Sequence, residues 1–263
     1  MTKKENHPHL SPLPSRERTG NPFRLLTTGY WLLATSTGRC ANIRPVAHRA
    51  VLFDLDGTLV DTLRDLADST NYVLAHGGFP QHEVEAYRYF VGAGRRVLAS
   101  RALPEDHRDE ETIDRISSEI ERVYSRRWTE HTAPYPGIPE LLDGLTVRGI
   151  RMAILSNKPQ RPAEVMVSRL LPRWHFGAVE GERPGIPLKP DPSGALEIAR
   201  RMKLKPVEFL YLGDSATDMQ TAVAANMYPV GALWGFRTAE ELRAGGTEVL
   251  IQIPTDLLPL LRQ

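Results

Sequence analysis

The sequence predicts an α/β protein: a Rossmann-like, doubly wound parallel sheet core with an inserted α-helical cap domain. Short apolar runs of strand length recur along the chain, helical patterns separate most of them, and one long stretch carries helical patterns alone. Apolar strands that alternate with helices are typical of an open parallel sheet covered on both faces. Ligands of such sheets bind beyond the carboxyl ends of the strands, so the residues that follow each strand are the candidates for chemistry.

Strand and helix candidates alternate from residue 50 onward. The three strongest strand candidates are apolar runs with β-branched or aromatic members, as expected for buried strands. The strand candidates are 50–53, 150–155 and 209–212, with weaker ones at 178–179, 228–233 and 248–253, and the helix candidates are 138–145, 162–171, 192–202 and 218–225.

Residues 66–133 break this alternation, because they carry helical patterns and almost no strand signal. Apolar residues recur there every three or four positions, which is the spacing of one helical face. We therefore predict a helical cap at 66–133, inserted into an α/β core formed by 49–65 and 134–263. Pro134 and Pro136 mark the return of the chain to the core.

Residues 1–48 differ from the rest of the chain, with many Pro, Arg, Ser, Thr and His residues and no regular period. Such a segment buries too little apolar surface to offset the entropy lost on ordering. We therefore predict a disordered N-terminal extension. A start codon placed too far upstream is the alternative interpretation, and residues 21–33 are apolar enough to pack as a short helix.

The overall composition argues against several classes of function. Lys and Arg total 33 against 32 Asp and Glu, so no basic excess favours nucleic acid as a partner. No run approaches the roughly 20 apolar residues that span a bilayer, so we expect no membrane partner. The one cysteine, Cys40, fits a reducing compartment, and we expect a cytoplasmic protein that is a monomer or a homodimer.

Two pairs of carboxylates follow predicted strands. Asp54 and Asp56 come directly after the first strand, and Asp214 and Asp218 come after residues 209–212. Carboxylates this close repel one another unless a cation lies beside them, and Mg²⁺ binds oxygen ligands while keeping several waters. The alternatives are a solvated Asp-Gly turn for the first pair and a helix N-cap for the second. An N-cap explains a single acid well, but it explains less well why two strand ends each carry two acids.

Groups that can bind a phosphate occur near the same strand ends. Thr58 offers a hydroxyl in the first segment, and Ser156 and Asn157 follow the second strand, where they can donate hydrogen bonds to phosphate oxygens. Lys189 lies just before the predicted helix that begins at Pro192. The alternatives are an ordinary strand-to-loop turn at Ser156 and Asn157 and a solvated surface charge at Lys189. A phosphate site is favoured only because these residues occur together with the other motifs.

These segments resemble the haloacid dehalogenase-like hydrolase superfamily in its phosphatase branch. Four motifs carry the resemblance in order: Asp-x-Asp-Gly-Thr at 54–58, a Ser after a strand at Ser156, a Lys before Pro at Lys189, and Gly-Asp-x-x-x-Asp at 213–218. The resemblance extends from residue 49 to the end of the sequence. Each motif alone is moderately specific, whereas four of them in order on strand ends are very specific.

The resemblance implies the chemistry of the carboxylates. Asp54 would be the nucleophile that attacks phosphorus, and Asp56 would protonate the leaving oxygen and then activate water. Mg²⁺ would be held by Asp54, the backbone carbonyl of Asp56 and Asp214. Asp218 would support the ion through water or through a hydrogen bond to one of its ligands.

The resemblance also implies how the phosphoryl group is bound. Lys189 would bind it and offset the repulsion between Asp54 and a phosphate dianion, with help from Thr58, Ser156 and Asn157. The implied protein is a Mg²⁺-dependent phosphoric monoester hydrolase that acts on a small phosphorylated metabolite.

The insertion resembles the C1 cap of this superfamily, which would close over the site and supply specificity. Its loop 91–96 resembles that of phosphoglycolate phosphatases, with Gly94 permitting a tight turn before Arg95 and Arg96. Either arginine could meet a substrate carboxylate or second phosphate, and solvated arginines in a flexible loop are the alternative. The resemblance favours a small phosphorylated acid such as 2-phosphoglycolate and leaves pyrophosphate, nucleotides and sugar phosphates open.

Two other functions stay open. A sugar phosphate mutase of the same architecture would need a cap that keeps water from the phospho-aspartate. Such mutases usually carry a His soon after the first motif, and residues 64–70 contain none. A non-catalytic, phosphate-binding regulatory module is the second alternative, and the intact set of motif residues argues against it.

Overall fold

The computed structural model describes residues 47–247 and 249–261. The predictions for the extension 1–48, Cys40 among them, therefore fall almost wholly outside the described residues. Eight strands lie in the described part of the chain. They are β1 Ala50–Phe53, β2 Val60–Asp61, β3 Ala133–Pro134, β4 Arg151–Pro159, β5 Val179–Glu182, β6 Phe209–Gly213, β7 Tyr228–Ala232 and β8 Val249–Ile251.

Six of these strands form one sheet in the order β5-β4-β1-β6-β7-β8, with every neighbouring pair parallel. The first strand in sequence thus lies in the middle, flanked by β4 and β6. Its residues are all fully buried, which fits an apolar strand covered on both faces. This architecture, with the helices described below, confirms the predicted Rossmann-like doubly wound fold class.

Helices cover the sheet on both sides. Successive residues of β1 point to opposite faces of the sheet, and each face packs into its own apolar cluster. Val51 and Phe53 belong to one apolar cluster, whereas Ala50 and Leu52 belong to another. Nine α-helices lie in the described residues: α1 Leu63–His76, α2 Tyr87–Phe90, α3 Arg95–Ala102, α4 Glu110–Arg127, α5 Ile138–Val147, α6 Gln160–Leu170, α7 Ser193–Arg201, α8 Ala216–Ala224 and α9 Ala239–Ala244. Short 3₁₀ helices occur at Val84–Ala86, Glu105–His107, Pro206–Glu208 and Pro254–Leu260.

The long helix α4 shows why the insertion folds as helices. It buries Ile113, Ile116 and Ile120, a spacing of three and four residues that places them on one face. Burying each such side chain contributes about 1.5–3 kcal/mol. The Asp109 side chain accepts a hydrogen bond from the backbone N–H of Thr112 at 2.9 Å and so caps the helix.

The positions of two elements differ from those predicted. β4 runs on to Pro159, past the predicted end at Leu155, because its residues after Ile154 pair with β5 through an irregular register. α1 begins at Leu63, three residues before the predicted start of the insertion, and β2 and β3 on either side of the inserted helices pair in antiparallel fashion. The proposed domain limits of 49–65, 66–133 and 134–263 stay a prediction, and the helices between β2 and β3 support it.

The helices also bear on the expected absence of a membrane segment. Within residues 47–247 and 249–261, no helix has both the length and the apolar character needed to cross a membrane.

Asp65 ties the beginning of α1 to the segment that leads out of the insertion. Its buried carboxylate accepts hydrogen bonds from the backbone N–H of His131 at 3.0 Å and of Thr132 at 2.9 Å. The Thr132 hydroxyl donates another at 2.8 Å. Burial alone would raise the pKa of Asp65, but these hydrogen bonds outweigh it and hold the pKa below its usual value.

We expect Asp65→Ala to lower the free energy of unfolding by about 2–4 kcal/mol, because buried donors lose their acceptor. Since the folded-state pKa is lowered, the contribution of the carboxylate is present above the unfolded-state pKa of about 3.9 and is lost as the pH falls through the folded-state value. Urea unfolding of both proteins from neutral to acidic pH measures this difference. The exposed pair formed by Asp68 and Arg64 provides a control, since Asp68→Ala should change the stability by less than about 1 kcal/mol. A difference for Asp65→Ala that does not shrink toward acidic pH would contradict the assignment.

Candidate active site

The four predicted motifs come together at one edge of the sheet. Asp54 follows β1, Asp214 follows β6, and Ser156 lies in the part of β4 that extends beyond its pairing with β1. Lys189 comes from the loop before α7. All four side chains are buried. Buried charges are costly unless they are paired, so the contacts among these groups decide what the site can do.

Lys189 lies between two carboxylates. Its Nζ is 2.6 Å from Asp54 Oδ1 and 2.6 Å from Asp218 Oδ1, and it donates to the carbonyl oxygen of Leu155 at 3.1 Å. These contacts use the three donors of an ammonium group. Burial alone would lower the pKa of Lys189, but the charges of Asp218 and Asp54 outweigh it and raise the pKa well above its usual value. The lysine is therefore charged.

Asp214 is fixed by two donors from different parts of the chain. The backbone N–H of Phe236 donates to Oδ2 at 2.6 Å, and the Thr58 hydroxyl donates to Oδ1 at 3.3 Å. Burial and the charge of Asp218 raise the pKa of Asp214 to about 7. Thr58 is fully buried and also lies 3.5 Å from Asp54 Oδ2, so its hydroxyl serves the carboxylates and its position does not support the predicted phosphate contact.

The carboxylates of Asp54, Asp214 and Asp218 fit a divalent cation. Each offers an oxygen atom, and these atoms all lie within 4.8 Å of one another. Burial raises the pKa of Asp54 well above its usual value, with Asp218 and Asp214 adding to the rise while Lys189 opposes it. When ionised, the three carboxylates carry more negative charge than the single ammonium of Lys189 can balance. A hard cation with oxygen ligands would balance it.

Gly57 allows the first motif to pass close to Asp214. Its φ is +89°, and a Cβ atom there would lie 2.3 Å from Asp214 Oδ2. We expect Gly57→Ala to displace the carboxylate and to weaken the binding of a divalent cation about 10- to 100-fold, measured by calorimetric titration. Gly149→Ala is the matched control, because Gly149 has a φ of +65° and a methyl group added there would have no atom within 4 Å. Equal effects of the two variants on cation binding would rule out the steric explanation.

Lys158, to which sequence reasoning assigns no role, forms an ion pair with Asp56. Its Nζ lies 3.0 Å from Oδ1 and 3.2 Å from Oδ2 of Asp56, and 3.3 Å from the hydroxyl of Tyr124. Burial alone would lower the pKa of Lys158, but Asp56 and Tyr124 outweigh it and raise the pKa above its usual value. Because Tyr124 belongs to α4, the lysine connects the first motif to the inserted helices.

Asn157 holds two loops together. Its side-chain amide donates to the carbonyl oxygens of Gly92 and Lys189, each at 3.1 Å, and its Oδ1 accepts from the backbone N–H of Lys189 at 2.9 Å. These contacts position the lysine segment and the insertion loop. They occupy the amide groups that were predicted to bind phosphate.

Of the three predicted specificity residues of the insertion, two line the cavity and one does not. Gly94 and Arg95 line the cavity described below, and Arg95 Nη1 donates to Glu121 Oε2 at 2.7 Å. Arg96 instead pairs with Glu110 and is not among the described residues that line the cavity. A role of Arg96 in specificity stays a prediction, and its position outside the cavity lining does not support it.

A cavity of about 560 Å³ adjoins the carboxylates. This volume lies within the ~300–1,000 Å³ typical of sites for drug-sized ligands. Asp54, Asp56, Ser156 and Lys189 contribute polar groups to it. Much of the remaining wall is apolar and comes from the insertion and from α6. The apolar wall includes Leu66, Leu98, Ile120, Trp128, Val165 and Met166.

A parallel sheet whose strand ends gather buried carboxylates, a lysine and a serine beside a cavity defines an enzyme site for a cation and an anionic substrate. The sequence model that describes the haloacid dehalogenase-like hydrolase family matches residues 51–232 of this chain. The chain belongs to the haloacid dehalogenase-like hydrolase family, which confirms the superfamily that the four motifs predicted.

Individual relatives agree with this assignment. The phosphoglycolate phosphatase of Pseudomonas putida is 32% identical over 216 residues, which cover 80% of this chain and 79% of the relative. That of Shigella boydii is 31% identical over 232 residues, covering 81% and 92%. A solved structure from Lactobacillus delbrueckii subsp. bulgaricus has a TM-score of 0.77 at 28% identity, covering 82% of this chain and 98% of that one. A haloacid dehalogenase-like hydrolase of Streptococcus pneumoniae has a TM-score of 0.74 at 21% identity, over 81% and 98%, and supports the fold alone.

Proposed function

We propose that the protein is a Mg²⁺-dependent phosphatase that hydrolyses a small phosphate monoester through a phospho-aspartate on Asp54. The observation that carries this proposal is the buried cluster of Asp54, Lys189, Asp214 and Asp218 beside a cavity. Family membership supports hydrolytic chemistry, and the relatives named above support phosphate esters as the substrates.

The chain supplies a nucleophile and an acid–base group. A carboxylate oxygen of Asp54 forms a bond to phosphorus while the bond from phosphorus to the ester oxygen breaks. Asp56 must carry a proton at this step, and it gives that proton to the ester oxygen, so its ion pair with Lys158 has to be released first. Asp56 then takes a proton from water, whose oxygen attacks phosphorus. This second step releases inorganic phosphate and restores Asp54.

Charge and position assist both steps. Ser156 binds a phosphoryl oxygen, and Lys189 binds another by giving up one of its three contacts described above. The ammonium also reduces the repulsion between Asp54 and the phosphate dianion. When bound, Mg²⁺ supplies further positive charge, and Asp54, Asp214 and the backbone carbonyl of Asp56 would hold it with support from Asp218. Walls from the insertion exclude water from the reacting groups.

2-Phosphoglycolate is the first candidate substrate, because the relatives from Pseudomonas putida and Shigella boydii are named phosphoglycolate phosphatase. The resemblance of the loop 91–96 to that of phosphoglycolate phosphatases also favours it. The cavity favours a second candidate, since its volume of about 560 Å³ and its apolar wall leave room for a larger leaving group. A nucleotide or a sugar phosphate fits that description. Pyrophosphate is the inorganic alternative.

The test is the release of inorganic phosphate from a panel of these compounds with Mg²⁺ present and after its removal by a chelator. Phosphoglycolate with the highest kcat/KM supports the first candidate, and a nucleotide or sugar phosphate with the highest value supports the second. Isomerised product without free phosphate would indicate a mutase. No turnover of any ester would contradict the proposal and favour a phosphate-binding module.

We also propose that the physiological partner is a small phosphorylated metabolite and not a nucleic acid, that the protein is cytoplasmic, and that it is a monomer or a homodimer. The near balance of 33 basic and 32 acidic residues supports the first statement. Light scattering of the purified protein measures the oligomeric state.

A further inference from the structure

We propose that Arg237 binds a carboxylate on the leaving group of the substrate and so selects phosphorylated acids over neutral phosphate esters. This inference rests on the proposed phosphatase function. It assigns to the loop after β7 the specificity that sequence reasoning assigns to Arg95 and Arg96 of the insertion.

The guanidinium of Arg237 has donors that the protein does not use. The side chain is 12% exposed, and Nη2 donates to the carbonyl oxygen of Val91 at 2.9 Å. Nη1 is buried and has no hydrogen-bond partner among residues 47–247 and 249–261. The carboxylate of Glu241 lies 4.0 Å from Nε, which is too long for a hydrogen bond. A guanidinium has five N–H donors, and leaving buried ones unpaired costs free energy that an anionic ligand would recover.

Comparison with the other cations of the cavity singles out this arginine. Lys158 and Lys189 are paired with site carboxylates, Arg95 is paired with Glu121, and Arg122 with Glu119. Arg161 makes no ion pair in the described part of the chain but is exposed to solvent. Among these six residues, Arg237 is therefore the largely buried cation whose ion pair, with Glu241 at 4.0 Å, is too long for a hydrogen bond. The six cationic residues that line the cavity are Arg95, Arg122, Lys158, Arg161, Lys189 and Arg237.

The loop that carries Arg237 also places it beside the reacting groups. The preceding residue, Phe236, donates its backbone N–H to Asp214 at 2.6 Å. Arg237, Asp54 and Lys189 also line the same cavity. A small ester whose phosphoryl group lies at Asp54 would therefore have its other end near this arginine.

Arg237 is also held by the insertion, which fixes the direction of its side chain. The guanidinium lies over the ring of Tyr89, with its carbon 5.3 Å from the ring centroid, and the carbonyl oxygen of Val91 accepts a hydrogen bond from it. Both residues belong to the inserted segment. A planar guanidinium held in this way is suited to bidentate binding of a carboxylate, which a flexible lysine would match less well.

The experiment compares 2-phosphoglycolate with ethyl phosphate, which has the same chain without the carboxylate. In Arg237→Gln, we expect kcat/KM for 2-phosphoglycolate to fall about 10- to 100-fold more than kcat/KM for ethyl phosphate, the range that a charged hydrogen bond contributes. Arg237→Lys should recover part of the selectivity. Arg161→Gln is the matched control, because it removes the same charged group from the exposed rim and should change the selectivity ratio by less than about 3-fold.

The outcomes separate a binding role from a structural one. If Arg237 only held the loop through Val91, both esters would lose the same factor, and that result would overturn the inference. A loss of selectivity in Arg161→Gln and not in Arg237→Gln would overturn it as well. If the wild-type protein hydrolysed neither these two esters nor any other ester of the panel, the proposed function would fail. Calorimetry would then measure the binding of the two compounds to the wild-type protein and to Arg237→Gln. Weaker binding of 2-phosphoglycolate alone in the variant would support the inference, and equal changes for both compounds would overturn it.

Discussion

Asp54→Asn should lower kcat by at least about 10⁴-fold for every phosphate ester that the protein hydrolyses, because an amide cannot replace the carboxylate as nucleophile. The change keeps the size of the side chain. The Asn side chain keeps an oxygen that can accept the hydrogen bond from Lys189, and Asp218 still balances that ammonium, so we expect the variant to stay folded. The loss would therefore be chemical and not structural. Steady-state kinetics and thermal unfolding measure the two quantities.

The control for this variant is Asp143→Asn, which makes the same change at an exposed carboxylate paired with Arg173. We expect its kcat to stay within about 2-fold of the wild-type value. If Asp54→Asn kept near-native turnover while it remained folded, direct attack of water on phosphorus would replace the covalent mechanism.

Asp56→Asn should have the second largest effect, a fall in turnover of about 10²- to 10⁴-fold, because the variant lacks the group that moves protons in both steps. The first step should suffer less with an aryl phosphate, since its leaving oxygen needs little protonation. The second step should be slow for all esters. With an aryl phosphate we therefore expect a burst of phenol release equal to one turnover per chain, followed by a slow phase.

The contact with Lys158 calls for a separate control, because Asp56→Asn also removes the carboxylate partner of that buried lysine. Tyr124→Phe removes the other polar partner of Lys158 and leaves the acid in place. Its kcat should fall far less than that of Asp56→Asn. Equal losses in the two variants, without a burst in either, would show that the position of Lys158 matters and that proton transfer by Asp56 does not.

The central strand and the motif residues are the parts that the sequence predicts well. Residues 50–53 are apolar throughout, and a strand buried on both faces requires that composition. Asp54 and Asp214 each come directly after a strand of the sheet. The sequence therefore predicts that they lie close together, because the carboxyl ends of parallel strands meet at one edge. Both inferences use only local order along the chain, which is why they do not depend on detailed packing.

Contacts between distant residues could not be predicted in the same way. Lys158 and Asp56 are 102 residues apart, and Lys158 and Tyr124 are 34 apart, so their meeting depends on how the insertion packs on the core. The Lys that follows Ser156 and Asn157 was the available signal, but a single Lys is usually solvated. Arg237 lies outside all four motifs. It is distinguished only by its burial and by its Nη1, which has no hydrogen-bond partner in the described part of the chain.

The transfer of a phosphoryl group to Asp54 can be observed directly by acid quenching during turnover, followed by peptide mass spectrometry. We predict phosphate on the peptide that contains Asp54 in the wild-type protein, and close to one phosphate per chain in Asp56→Asn with an aryl phosphate. Steady release of inorganic phosphate with no phosphorylated peptide in either protein, at quench times shorter than one turnover, would contradict the mechanism.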